Sequence, residues 1–302
     1  MTRRYRVVHR TEYRYGASMT DGYSVAMVTP RSTLRQRVVS AEVTALPEPD
    51  ERDERNDQWG NRVLQFGVHH AHDTSVIESI AVVDLDDVPE PIDDTPWEDV
   101  AAMMATIDGD GAIEVRPFLA ASPFIDVVAN GEALSELARS SFTPGLGVID
   151  GARRLCEAIN EGFDFDPTFS EISTPLADVV MHRRGVCQDF AHLAIGALRS
   201  IGLAARYVSG YIETEPPPGA ERLVGADASH AWCSIWSPLA GWVDFDPTNG
   251  HLPVERHVTV AWGRDYSDVV PVRGVVIGPA ADQRLTVSVD VASVDVSAID
   301  GG

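Results

Sequence analysis

Alternation opens the chain. Tyr5, Val7, His9, Thr11, Tyr13 and Tyr15 interleave with Arg6, Val8, Arg10, Glu12 and Arg14, the two-residue period of a half-buried strand. Val- and Ile-rich runs follow at 36–46, 61–70 and 74–85, broken by polar turns such as Trp59-Gly60-Asn61. Together they predict an antiparallel β domain over residues 1–85. From 84 to 99 the chain has eight acids, no base and prolines at 89, 91 and 96, a composition that predicts a linker over 86–117. Asp108-Gly109-Asp110-Gly111 resembles part of a calcium loop. With Gly111 as the loop glycine, however, the first ligand would be Thr106 and the twelfth Pro117, so a turn is predicted there.

Helical spacing begins near residue 123. GEALSELARSSF (131–142) is followed by 147–163, where Ile149, Ala152, Leu155, Cys156, Ile159 and Phe163 form one stripe. Residues 187–202 predict a further helix, with Phe190, Leu193, Ala194, Ala197, Leu198 and Ile201 on its apolar face and Gly202 as its stop. Strands are expected at 205–213, 230–236 and 241–246, and again beyond 265. The pattern is that of an α+β chain, with a core over 118–264 and C-terminal strands over 265–302.

Composition narrows the function. The 302 residues carry 24 Lys+Arg against 46 Asp+Glu, a formal charge of −22, which disfavours nucleic acid and anionic lipid as partners. Residues 1–40 are the exception, with eight Arg and two acids, expected as a solvated arginine face on an edge strand. Every basic residue is arginine, as a GC-rich genome would give, so the chain offers no lysine amine to an amide-forming enzyme. Three cysteines without a CxxC indicate neither a disulfide framework nor a zinc ribbon. With no apolar segment behind the N-terminal arginines and no run of ~20 apolar residues, a soluble, cytoplasmic protein is expected.

Cys187 follows Arg183-Arg184-Gly185-Val186 and opens the long helix. Unpaired N–H groups and the positive end of the helix dipole favour a thiolate there and could hold a developing oxyanion. Gly185 would let the backbone turn sharply and a substrate approach. HAWCSIWSPLAGWVDFD reads as a hairpin. Centred on Pro238, it pairs His230 with Asp246, and a slip of two residues would keep them on one face. Cys187, His230 and Asp246 are thus candidate nucleophile, base and orienting acid, with Asp244, of the same parity, as the competing orienter. Cys233 points to the opposite face, and Cys156 lies in a helix stripe; both are expected in the core.

Other chemistry-bearing residues have plainer expectations. His70 and His72 share a face near His69, but without a third ligand they read as surface residues rather than a metal site. Asp189, in the first helical turn, is expected to satisfy backbone donors, and His192 to be a hydrogen-bonded packing residue. Trp232, Trp236 and Trp242 are mostly core, with Trp232 able to wall the cleft beside His230. The Pro-rich segment 214–228 is either a gate or an ordinary surface loop.

RRGVCQDFAHLAIGALRSIGLAARYVSGY (183–211), SHAWCSIW (229–236) and GWVDFDPTNG (241–250) resemble the bacterial transglutaminase-like cysteine peptidase superfamily. YRVVHRTEYRY and DQWGNRVLQF (57–66) resemble the β-rich region that precedes the catalytic domain in one bacterial branch. The resemblance implies a papain-like α+β core with the nucleophile on Cys187, the base on His230 and the acid on Asp246, which its DPT context favours over Asp244. It does not fix the substrate. The expected activity is hydrolysis of a peptide or isopeptide-like amide of a peptide or protein partner, without metal or organic cofactor. Transamidation is the alternative, and a non-catalytic binding protein is the alternative of another class. An arylamine acetyltransferase would carry RGG near the nucleophile, and a peptide glycanase paired CxxC ligands; neither is present. The second oxyanion donor is expected within 181–188, and the N-terminal β domain as a specificity module or plain support.

Overall fold

The computed structural model describes residues 2–213, 229–253, 256–279 and 282–294. Alternation in β1 (Thr2–Met19) buries Tyr5, Val7, His9 and Thr11 on one face. It is followed by β2 (Asp21–Ala26), β3 (Gln36–Leu46), β4 (Glu51–Asn56), β5 (Arg62–Val68) and β6 (His72–Asp86). The helices are α1 (Trp97–Thr106), α2 (Gly109–Val115), α3 (Gly131–Ser141) and α4 (Val148–Gly162). After them come the two-residue β7 (Asp164–Phe165), α5 (Leu176–His182), the equally short β8 (Arg184–Gly185) and α6 (Cys187–Ser200). The chain continues with β9 (Ala205–Ile212), β10 (Ser229–Ser237), β11 (Gly241–Phe245) and β12 (His257–Gly263), then β13 (Val272–Ile277) and β14 (Gln283–Val294).

Two four-stranded sheets, ordered β14-β1-β6-β3 and β13-β2-β5-β4, enclose a small core of Val28, Val43, Leu64, Phe66 and Ile77. The C-terminal strands therefore complete the N-terminal sheets: β13 pairs with β2 and β14 with β1. This corrects the expectation for β1, which lies between two partners rather than at an edge. Two of its arginines are matched by acids across the strand pair. Arg4 lies opposite Asp84 and binds it at 2.6 Å, and Arg10 lies opposite Glu78.

The segment expected as a linker is partly helical. In α1, Val100 and Met104 are buried at a spacing of one helical turn, and the helix touches α4. The acids and prolines around it dominated the composition and masked this short apolar stripe. Likewise residues 109–111 open α2 after Asp108 rather than forming a turn.

The third sheet, β11-β10-β9-β12, packs against α6, whose residues 189–199 are all buried. The main core runs through both parts of the chain, from Tyr5, Val7 and Val83 to Leu193, Ala197, Val258 and Val291. Its third sheet ends in β12, whose outer edge is covered by amide side chains of the N-terminal part. Gln36 both donates to Thr259 O (2.7 Å) and accepts from Thr259 N (2.8 Å). Asn61 does the same with Trp262, at 2.8 and 3.0 Å. Two side-chain amides thus supply the hydrogen bonds that a neighbouring strand would supply.

Candidate active site

The start of α6 is built around Asp189. Its carboxylate accepts from the Val186 N–H at 2.8 Å and from Ser170 Oγ at 2.6 Å, and burial raises its pKa. A Cβ on Gly185 would stand 2.8 Å from this side chain. The glycine is required to make room for the cap, a different reason from the sharp turn expected. Val186 is extended, and Cys187 takes the first helical position, half-buried, while Cys156 and Cys233 are fully buried. Burial first, then its neighbour Cys233, pushes the Cys156 thiol well above the ordinary range.

In the hairpin, Cys233 faces Phe245 and Trp236 faces Trp242. The turn therefore centres on Leu239 rather than Pro238, and the pairing slips by two residues. Parity survives such a slip, and His230 Nε2 donates to Asp246 Oδ2 at 2.7 Å. With Nε2 occupied, Nδ1 is the nitrogen left for the thiol, and Cys187 is close enough to be among the neighbours that raise the His230 pKa. The structure thus brings Cys187, His230 and Asp246 together. Asp244 is elsewhere occupied, accepting from the Trp232 indole at 3.1 Å.

Asp246 is fully buried and accepts five hydrogen bonds. Oδ1 takes the backbone N–H groups of Thr248 (3.0 Å) and Asn249 (3.2 Å). Besides His230, Oδ2 takes Asn249 Nδ2 (2.7 Å) and His257 Nε2 (2.9 Å). Burial alone would raise the Asp246 pKa, but its histidine partners hold it well below the usual carboxylate range. The two imidazoles divide. Burial pulls both down; at His230 the bonds and charges of Asp246 and Cys187 outweigh it and raise the pKa to about 10. His257 ends lowered, because burial is joined by repulsion from His230. One carboxylate here supports one imidazolium and one neutral donor.

His257 and Asn249 were not singled out from the sequence. Asn249 had a signal, since an Asp three residues before an Asn in a Pro-containing turn invites an Asx arrangement. His257 had only its alternation with Thr259; its place depends on β12 pairing with β9 rather than with the strand before it.

His230, Asp246 and His257 also put three ligand-type atoms within 4.8 Å of one another. Both ring nitrogens aim at the same carboxylate oxygen, at 2.7 and 2.9 Å, so the three atoms are already paired with one another. The arrangement is one of hydrogen bonds. His69, His70 and His72 do not converge: they turn to Asp21, Asp50 and the His70 carbonyl respectively. His192 stacks on Phe124 and accepts from the Tyr266 N–H, and burial lowers its pKa to about 4. Trp232 is sealed beneath the site, edge-on to His257, and does not wall a cleft. Trp242 packs edge-on against Phe118. The segment 214–228 considered as a gate lies outside the described residues. Among the described residues no helix is long and apolar enough to cross a membrane.

The profile of the transglutaminase-like superfamily matches residues 136–247, and that of the bacterial transglutaminase-like N-terminal region matches residues 5–84. An uncharacterized protein of Mycobacterium tuberculosis is 41% identical over 299 residues, covering 96% of this chain and 93% of that one. The fold is similar to the crystal structure of a proposed cysteine protease from Cytophaga hutchinsonii. Its TM-score is 0.74 at 22% identity, over 98% of this chain and 92% of that chain. A 67-residue stretch is 40% identical to a protein-glutamine gamma-glutamyltransferase of Pseudomonas aeruginosa, over 22% of this chain and 10% of that protein.

Proposed function

The chain belongs to the transglutaminase-like superfamily, and from that premise we propose that it hydrolyses a peptide or isopeptide-like amide by thiol acyl transfer. One observation carries the reading: a half-buried thiol at a helix start lies beside an imidazole whose Nε2 is held by a buried carboxylate. Cys187 Sγ, as thiolate, adds to the amide carbonyl carbon, and the helix-start N–H groups receive the negative oxygen. As the C–N bond breaks, the His230 Nδ1 proton passes to the departing nitrogen. Water then adds to the thioester, giving its proton to His230; the C–S bond breaks, and a carboxylic acid and the free thiol remain. Asp246 keeps the ring in the tautomer and orientation both half-reactions need.

Local likeness to a glutamyltransferase favours a second reading, in which an amine replaces water. The deciding experiment incubates the full chain with a library of peptides, isopeptides and simple amides plus excess isotope-labelled primary amine, with products weighed by mass spectrometry. Carboxylic acid products sustain hydrolysis, and labelled amides would replace it with transamidation. No product, with Cys187 alkylated no faster than the other two thiols, would leave a binding protein.

A pH dependence follows from His230. Its raised pKa means the imidazolium persists through neutrality and is lost as pH climbs through about 10. The proton for the leaving amine disappears with it, so kcat/KM is expected to fall on the alkaline side near pH 10. The same group contributes stability fully present below its ordinary value of 6.5 and lost as pH rises through about 10. A kcat/KM profile with its alkaline limb near 6.5 would contradict the assignment.

A further inference from the structure

Resting on the thiol acyl-transfer reading, we propose that His257 is a positioning residue for the reaction: it clamps Asp246 on the same oxygen that holds His230 and is itself held by the N-terminal domain through β12. Among the described residues, the other donors to Asp246 besides His230 come from its own turn, at 248 and 249. A turn that moves carries those contacts with it. Apart from His230 itself on β10, His257 alone among the described residues ties the carboxylate to another strand of the sheet, through Nε2 at 2.9 Å on the oxygen that orients His230.

The ring's own environment favours such a role over simple packing. It is 6% exposed, and its Nδ1 is buried without a hydrogen-bond partner. Leaving a buried polar atom without a partner is costly, so the imidazole is a poor way to fill this space. Since Asp246 is an acceptor, Nε2 carries the proton and the bare Nδ1 is a lone pair. The ring is wedged edge-on against Trp232, with centroids 5.3 Å apart, and lies 5.7 Å from the His230 ring. As a neutral donor it holds the carboxylate without competing for its charge.

What fixes β12 lies in the first part of the chain. Gln36 and Asn61 saturate its outer edge at Thr259 and Trp262. Arg35 donates to the Pro253 carbonyl at 2.6 Å, just ahead of the strand. Arg31 both donates to Asn61 Oδ1 at 2.6 Å and lies over the Trp262 ring at 3.2 Å. The β domain therefore reaches the carboxylate through β12 and the His257 ring.

The test compares the full-length wild type with His257→Phe, which removes the donor, and His257→Gln, which keeps a side-chain N–H. Two readouts are used: the low-field proton NMR signal of the His230 Nε2–H, and the alkylation rate of Cys187 by iodoacetamide at neutral pH. His257→Phe is expected to lose the low-field signal and to slow alkylation about tenfold, within the range that small misplacements cost. His257→Gln is expected to keep the signal and stay within about twofold of wild type. If His257→Phe does not fold, Gln36→Ala, which leaves the ring untouched, decides by broadening the same signal. An unchanged signal and rate in the folded Phe variant, or an unchanged signal in Gln36→Ala where that variant decides, would overturn the clamp. Failure of the acyl-transfer reading looks different: wild-type Cys187 would label no faster than Cys156 and Cys233 while the signal still depended on His257.

Discussion

Cys187→Ala is expected to lower amide cleavage by about 10⁴-fold or more while leaving the melting temperature almost unchanged. The rate loss follows from chemistry: without sulfur there is no thioester, and only binding and oxyanion stabilisation remain, as when a nucleophile is removed from a triad. The stability half follows from position. Cys187 is half-buried at the first turn of α6, and the cap that holds this turn is Asp189, not the thiol. Alanine is a good helix former, so the change belongs with surface substitutions worth about 0.5 kcal/mol or less. Activity measured on a library-derived substrate and thermal melts by circular dichroism check the two halves together. Iodoacetamide labelling adds a third view: the wild type is expected to label at Cys187 ahead of the two buried thiols, and His230→Ala to slow it. A Cys187→Ala protein that still turns over substrate would remove the thiol from the mechanism.

The legibility of this site in the sequence has a physical pattern. Side-chain parity along a hairpin depends only on strand period, so His230 and Asp246 could be placed on one face although the turn was centred one residue early. Cys187 was legible because Gly185 and the apolar stripe from Phe190 onward mark the start of a helix there. Strand partners were not legible in the same way. Nothing local in 283–294 says that it pairs with β1, or that β12 crosses to β9. His257 was missed for that reason, and so was the filling of the edge beside β1. Composition misled once: eight acids and three prolines over 84–99 obscured Val100 and Met104, four residues apart.

Asp246→Asn is the variant expected to damage activity and stability together. The carboxylate accepts three donors on Oδ2 and two on Oδ1. An asparagine offers one oxygen and one NH₂. With the NH₂ on the Oδ2 side, it faces His230, His257 and Asn249, all donors. Turned over, it faces two backbone N–H groups and gives His230 a neutral oxygen in place of a charge. Either way a buried imidazolium loses its counter-charge, and breaking such a pair typically costs about 3–5 kcal/mol. The His230 pKa should then fall, because burial, which already pulls it down, is no longer opposed by the carboxylate. The alkaline limb of kcat/KM should move from about 10 toward or below the ordinary 6.5, and the rate at neutral pH should drop by about 10⁴-fold, as for a triad acid replaced by its amide. Asp244→Asn supplies the contrast, since that side chain accepts from the Trp232 indole and offsets the charge of the buried Arg206 rather than bonding His230; it should change rate by no more than a few-fold and leave the alkaline limb in place. Urea denaturation and pH–rate profiles of the two variants check both halves, and the reverse ranking would make Asp244 the orienting acid.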